Sequence, residues 1–197
     1  EGRDPQFPCL PRTEEELFTI LRAFERLARA LHAAHESGVI HRDIKPANLI
    51  MDESGTPIIL DFGLARVGGE DGSTLTMTGE IFGTPAYMPP ELLRGQVGEP
   101  GPTLDVYALG VTLYECLALK RPFDATTPEA LYKQILEQDA PSVCTHHSEL
   151  PKEVAIVLAT ALEKDLNRRY SSALDMAEEL RRICDREPIL AIPAGPS

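Results

Sequence analysis

The fold is decided by two polar stretches, HRDIKPAN at residues 41–48 and DFG at residues 61–63. Short apolar runs at residues 49–51 and 58–60 lie between them, which is the pattern of a small hairpin of two strands. Because a hairpin folds back on itself, its two ends lie close together. We therefore expect one cluster to form from the polar residues at those ends: Asp43, Lys45, Asn48 and Asp61.

The residue types in this cluster suit the transfer of a phosphoryl group. Asn48 and Asp61 offer the hard oxygen ligands that Mg²⁺ prefers. Lys45 supplies a point charge for the transferred group, and Asp43 is left to accept a proton or to orient a hydroxyl. Positioning, a metal ion and charge neutralisation are the parts that this reaction needs.

The two stretches resemble the catalytic loop and the metal-binding motif of protein kinases. Three more segments resemble later kinase motifs, in the family's order: GTPAYMPPE at residues 83–91, DVYALG at residues 105–110 and KDLNRR at residues 164–169. This chain departs from the usual motifs at Pro89 (usually Ala), Tyr107 (often Trp) and Leu166 (usually Pro). The resemblance covers residues 13–185.

The resemblance implies a mainly α fold with a small β-hairpin, which is the helical C-lobe of the protein kinase-like α+β fold. The N-terminal sheet lobe is absent from this sequence, which contains neither a G-x-G-x-x-G-x-V loop nor a V-A-I-K strand. We expect a linker or truncated lobe junction at residues 1–12, the C-lobe at residues 13–185 and a flexible tail at residues 186–197. Within the lobe, the catalytic loop spans residues 41–48 and the activation segment spans residues 61–91.

Local signals predict where the main helices begin and end. Thr13 and Glu16 form a capping-box pattern at the start of a first helix, and Gly38 is a natural stop for it. Residues 103–119 are apolar nearly all round, which predicts a buried central helix. Three more helices are predicted: one begun by a capping box of Thr126 and Glu129, one along the apolar stripe from Val154 to Leu162, and one begun by Ser171 or Ser172.

The resemblance assigns chemical roles to the cluster. Asp43 is expected to be the catalytic base, and Lys45 is expected to neutralise the γ-phosphate. Asn48 and Asp61 are expected to hold Mg²⁺. The implied cofactors are therefore ATP and Mg²⁺, bound by Lys45, Asn48 and Asp61.

Supporting roles also follow from the resemblance. Asp105 is expected to hold the catalytic loop through its backbone amides, and Glu91 to pair with Arg169. Thr84 is expected to contact Asp43 and Lys45. The remaining motif residues, which link the loop to the core or complete the DFG motif, are His41, Phe62 and Gly63.

Regulation by phosphorylation is expected within residues 61–91. Arg42 lies directly before Asp43, and the fork of a guanidinium group suits a phosphate. Thr78 is the first candidate for the phosphorylated residue and Thr76 is the second.

The branch of the family follows from a few of these residues. Lys45, two residues after Asp43, is typical with Gly83-Thr84 of serine/threonine kinases, and Tyr107 with the compact spacing is similar to bacterial eukaryotic-like kinases. The implied function is that of a catalytic fragment, inactive alone, whose parent transfers the γ-phosphoryl group of ATP to serine and threonine hydroxyls of proteins. The alternative is a non-catalytic, kinase-like interaction or scaffold module. The expected partners are a protein substrate and the missing N-lobe.

Composition weighs against several other classes. The sequence has 19 Lys and Arg against 31 Asp and Glu, and this net charge of -12 repels nucleic-acid phosphates and anionic membranes. No run of eighteen apolar residues predicts a membrane segment. The four cysteines form no C-x-x-C pair, which is typical of a reduced, cytoplasmic protein and leaves open a membrane anchor elsewhere in the parent.

Two histidines on the first predicted helix raise the alternative of a metal site. His32 and His35 lie three residues apart, which places them on one helix face. No carboxylate or cysteine joins them by spacing. We therefore expect a surface or packing role for both.

Overall fold

A computed structural model describes residues 10–62, 85–95 and 101–192. In this part of the chain, helices predominate and one two-stranded antiparallel sheet is present, as predicted. The helices are α1 (Glu14–Glu36), α2 (Pro90–Leu93), α3 (Thr103–Ala118), α4 (Pro128–Glu137), α5 (Lys152–Ala161) and α6 (Ala173–Cys184). The strands are β1 (Leu49–Met51) and β2 (Pro57–Ile59).

The start and the end of α1 are set by local chemistry. The Thr13 side chain accepts a hydrogen bond from the Glu16 amide at 3.1 Å, as an N-cap does. The predicted capping box is only half formed, because the Glu16 carboxylate accepts from the Arg12 amide at 2.6 Å. The helix ends just before Gly38, whose φ of +78° suits glycine.

The most deeply buried element is α3, as its nearly continuous apolar sequence predicts. It packs against α1, α5 and α6, so it lies at the centre of the lobe. At Gly110, an added Cβ would lie 2.9 Å from the Cβ of Ala161, so glycine allows α5 to approach closely. The helix ends where Leu119 takes the left-handed conformation with φ of +51°.

A network of ion pairs joins α1 to α6 along the exposed edge of their contact. Arg29 binds Glu25 at 3.1 Å on its own helix and Glu178 at 2.6 Å on α6. Arg22 binds Glu25 at 2.9 Å and also contacts Asp185. The pairs of Arg22 with Asp185 and of Arg29 with Glu178 join partly exposed side chains, and such pairs stabilise a fold little. Glu25, by contrast, is buried. The buried apolar faces of α1 and α6 therefore contribute most to holding the two helices together.

The structure corrects one predicted helix start and refines two other predicted boundaries. The cap of α4 is Thr127, whose side chain accepts from the Ala130 amide at 3.3 Å, and the predicted capping box at Thr126 is wrong. The reason is that Pro128 occupies the first helical position, and the residue before a proline takes the extended conformation of an N-cap. At α6 the cap is Ser172, with Asp175 completing a capping box. Strand β2 begins at Pro57, one residue before the predicted run.

One lysine lies partly inside the lobe without a hydrogen bond to any described residue. The Nζ of Lys164 lies 4.1 Å from the centre of the Phe123 ring, which attracts a cation weakly. Burial lowers the pKa of Lys164 to about 8 from its ordinary value of 10.5, although the charge of Asp139 opposes this shift. The lysine is therefore more costly to bury in its charged form than in its neutral form.

We expect Lys164→Met to stabilise the chain in a pH-dependent way. Because the folded-state pKa is depressed, the unfolded chain binds more protons between about pH 8 and pH 10.5, and the stability of the unsubstituted chain rises with pH there. Lys164→Met should raise the free energy of unfolding at pH 7 by about 1–3 kcal/mol, and this advantage should shrink towards pH 10.5. Urea unfolding at a series of pH values measures both effects. Lys133→Met, at an exposed position of α4, is the control and should show no such trend. If the difference in free energy of unfolding between Lys164→Met and the unsubstituted chain did not change with pH, the lowered pKa of Lys164 would be contradicted.

Candidate active site

The hairpin brings the two polar stretches to one place. Leu49 pairs with Ile59 and Met51 pairs with Pro57 in the antiparallel register of β1 and β2. The pairing extends one step further, because the Leu60 amide donates to the Asn48 carbonyl at 2.8 Å. Asn48 and the residue after Leu60, which is Asp61, therefore lie at the same end of the hairpin.

The catalytic-loop residues form a compact hydrogen-bonded set. The Oδ2 atom of Asp43 accepts from the Lys45 ammonium at 2.7 Å and from the Asn48 amide nitrogen at 3.1 Å. The same Asn48 nitrogen donates to the Asp43 carbonyl at 2.7 Å. In the described part of the chain, Oδ1 of Asp43 has no hydrogen bond comparable to those of Oδ2.

His41 links the catalytic loop to the end of β2. Its Nε2 is 2.8 Å from the Leu60 carbonyl, and its Nδ1 accepts from the Asp43 amide at 3.3 Å. Because a carbonyl can only accept, Nε2 carries the proton, and because Nδ1 accepts, the ring is the neutral Nε2–H tautomer. The ring also contacts Phe62 edge to face, with the centroids 4.9 Å apart. These contacts place the Asp43 backbone relative to the start of the DFG motif.

Asp105, in the first turn of α3, binds the backbone of the catalytic loop. Its carboxylate is fully buried and accepts from the His41 amide at 2.8 Å and from the Arg42 amide at 2.7 Å. Arg42 has a φ of +69°, a left-handed conformation that is unfavourable for a residue with a side chain. The two hydrogen bonds to one carboxylate fix the loop in this shape.

His35 is a third hydrogen-bond donor to the same carboxylate, and sequence reasoning did not identify this role. Its Nε2 lies 2.8 Å from Oδ2 of Asp105, and its side chain is almost fully buried. One sequence signal was available: His35 follows Leu31 by four residues and so continues the buried stripe of α1. A polar side chain on a buried stripe needs a buried partner.

Glu91 and Arg169 form a buried bidentate ion pair. The two N···O distances are 2.7 Å and 2.9 Å. The remaining donors of Arg169 reach the carbonyls of Glu163 and Thr103, so all five N–H groups of the guanidinium are used. The guanidinium carbon also lies 5.0 Å from the centre of the Tyr107 ring. The pair therefore connects α2 to the start of α3 and to the turn that follows α5.

Two residues offer oxygen atoms for a divalent cation. Asn48 uses its amide nitrogen to bind Asp43, so its oxygen remains available as a ligand. Asp61 is exposed, and its φ of +59° is a conformation that aspartate tolerates better than most residues. Mg²⁺ commonly takes one or two carboxylates with phosphates and water. This pair of oxygen donors fits such an ion.

Four of the predicted site residues lie outside the described part of the chain. They are Gly63, Thr76, Thr78 and Thr84. The predicted phosphorylation sites are thus not placed by the structure. Arg42, the residue that motivated them, is half-buried beside Asp43.

Comparisons with known proteins match most of the chain. The sequence model of the protein kinase domain matches residues 12–181. The serine/threonine-protein kinase PknB of Mycobacterium tuberculosis is 35% identical over 170 residues, which cover 85% of this chain and 27% of that protein. A probable serine/threonine-protein kinase of Streptomyces coelicolor is 33% identical over 168 residues, which cover 85% of this chain and 25% of that protein. The chain thus spans about a quarter of the length of the curated relatives it matches.

Within residues 10–62, 85–95 and 101–192, no helix combines the length and the apolar character that crossing a bilayer requires.

We expect His35→Ala to loosen the catalytic loop. The substitution removes one of three hydrogen bonds to a buried carboxylate, which typically costs about 1–3 kcal/mol. Hydrogen exchange at the amides of His41 and Arg42 should become faster, and His35→Gln, which can still donate to Asp105, should restore part of the protection. His32→Ala, three residues earlier on the same helix, is the matched control. Unchanged exchange at both amides in His35→Ala would show that His35 does not support the loop.

Proposed function

This chain belongs to the protein kinase family, in its bacterial eukaryotic-like serine/threonine branch, and from this membership we propose that its parent protein transfers the γ-phosphoryl group of ATP to serine and threonine hydroxyls of proteins. The observation that carries the proposal is the hydrogen-bonded set of Asp43, Lys45 and Asn48. It combines a fixed carboxylate, a cation and an amide oxygen within one short loop. The relatives that match this chain are named serine/threonine-protein kinases, which supports the same activity.

Asp43 is the residue that handles the proton of the substrate hydroxyl. Lys45 and Asn48 both bind its Oδ2 atom, which fixes the plane of the carboxylate. Its Oδ1 atom accepts the hydrogen bond from the incoming hydroxyl, so it orients the nucleophile and receives its proton. A substrate hydroxyl that is held in this way loses less entropy on reaching the transition state.

Lys45, Asn48 and Asp61 compensate the negative charge of the phosphate groups. The Lys45 ammonium remains partly exposed beside Asp43, where it can also approach a phosphoryl oxygen. Asn48 and Asp61 would hold Mg²⁺, which neutralises the charge of the ATP phosphates when it is bound. The protein partners in this proposal are the phosphorylated substrate and an N-lobe that carries the phosphate-binding loop.

The alternative of a non-catalytic scaffold is not favoured by any described feature. A degenerate site typically lacks one of the residues that act on the phosphoryl group. Here the chain keeps Asp43, Lys45, Asn48 and Asp61, and the first three are hydrogen-bonded to one another.

We expect Asp43→Asn in the parent kinase to abolish most turnover without unfolding the protein. Asparagine has nearly the same size but cannot accept the proton, and loss of a positioned base typically lowers kcat about 10²–10⁴-fold. The measurements are kcat on a protein substrate and the melting temperature. Asp124→Asn is the control, since this carboxylate is 66% exposed. The assignment of Asp43 would be wrong if both variants kept the unsubstituted kcat and melting temperature.

We infer that this chain alone binds Mg-ATP weakly and does not turn over. Its sequence has no G-x-G-x-x-G-x-V loop and no V-A-I-K strand, so the residues that cover the phosphates in other kinases are lacking. Calorimetry with Mg-ATP on the chain should show no micromolar binding, whereas the parent kinase should show it. Micromolar affinity of the chain alone would refute this inference.

In the parent, Asp61→Asn should raise the Mg²⁺ concentration needed for half-maximal activity.

A further inference from the structure

The segment that follows α6 is held by a buried carboxylate. Glu179 lies in the middle of α6, and its side chain is only 5% exposed. Its two carboxylate oxygens accept from the Leu190 amide at 3.1 Å and 3.0 Å, and Oε2 also accepts from the Ala191 amide at 3.0 Å. A side chain of one element thus satisfies two backbone donors of the next.

The chain reverses direction between these two points. After α6 ends at Cys184, Arg186 takes a φ of +58°, and the Glu187 amide donates back to the Arg182 carbonyl at 2.8 Å. Arg182 also donates to the Pro188 carbonyl at 3.3 Å. Since the contacts join a residue before the turn to residues after it, the segment runs back along α6.

The side chains of this segment alternate between two environments. Ile189 and Ala191 pack against the hydrophobic core. Leu190 and Ile192 point outwards and are 70% and 83% exposed. One face of the segment is therefore part of the lobe and the other face is open to solvent.

The carboxylate and the two amides depend on each other. A buried carboxylate is costly unless it is hydrogen-bonded. In the described part of the chain, the nearest cation is Arg182, whose Nε lies 4.0 Å away and makes no hydrogen bond there. The amides of Leu190 and Ala191 are thus the hydrogen-bond donors that compensate the burial of Glu179.

We propose that residues 188–192 are a strap that belongs to the folded lobe, and that Glu179 is the latch that holds it on α6. The proposal is independent of the kinase activity. It extends the folded unit beyond residue 181, where the family match ends, and it replaces the expectation of a flexible tail for residues 188–192. The latch also holds the backbone of residues 190 and 191 against α6.

A thermodynamic cycle tests the coupling between latch and strap. The chain is compared with one that ends at Glu187, each with and without Glu179→Met. Removal of the strap should lower the melting temperature of the unsubstituted chain by about 5–10 °C, because the buried carboxylate loses both donors. In the Glu179→Met background the same removal should lower it much less, since no buried charge is then left unpaired. An equal loss in both backgrounds would overturn the proposal.

Hydrogen exchange in the intact chain gives a second and independent measurement. The amides of Leu190 and Ala191 should be protected in the unsubstituted chain, although the Leu190 side chain is exposed. Glu179→Met should speed their exchange at least about tenfold by opening the latch. The neighbouring Glu178→Met, which removes an exposed carboxylate of the same helix, should leave both amides protected. If Glu179→Met does not fold, Glu179→Ala, which also has no side-chain acceptor, serves in its place. Unprotected amides in the unsubstituted chain, or the same exchange in the Glu179 and Glu178 variants, would refute the latch.

Discussion

The catalytic loop depends on the carboxylate of Asp105, which accepts three hydrogen bonds in a site closed to solvent. A buried charge is stable only when its partners are in place. The amides of His41 and Arg42 donate to Asp105, which α3 presents to them. The loop and the central helix therefore form together, and the position of Asp43 follows from the burial of α3. His35 extends this coupling to α1, so three elements meet at one charge.

Two residues near the predicted active site depart from favourable backbone conformations, and the same constraint explains the first of them. Arg42 and Asp61 both have positive φ values, of 69° and 59°, at the two ends of the stretch that contains the hairpin. Such conformations cost about 1–3 kcal/mol each and persist only where the surroundings enforce them. At Arg42 the surroundings are the two hydrogen bonds to Asp105. At Asp61 they are the strand pairing of Leu60 on one side and the contact of Phe62 with His41 on the other.

Buried charges elsewhere in the lobe connect elements in a similar way. Arg169 uses all five of its donors, and in doing so it ties Glu91 of α2 to the start of α3. Glu179 accepts hydrogen bonds from two backbone amides of the segment that follows its own helix. Lys164 is different, because its partner among the described residues is the face of Phe123 and its charge is only weakly compensated. Buried charges in this lobe thus connect elements where their hydrogen bonds are complete, and cost stability where they are not.

The sequence by itself determined the hairpin, the extent of the first and central helices, and, of the predicted cluster of Asp43, Lys45, Asn48 and Asp61, the contacts among the first three. These features depend on periodicity, capping and contacts between residues at most five positions apart, all of which a sequence displays directly. The pairing of Glu91 with Arg169 was expected only through the family resemblance, because the two residues are 78 positions apart. The tertiary structure alone decided that His35 binds Asp105, 70 positions away, and that Glu179 receives the amides of the following segment. No local sequence pattern selects these partners. Polar groups that are distant in sequence meet only when the helices pack and exclude water from the interior.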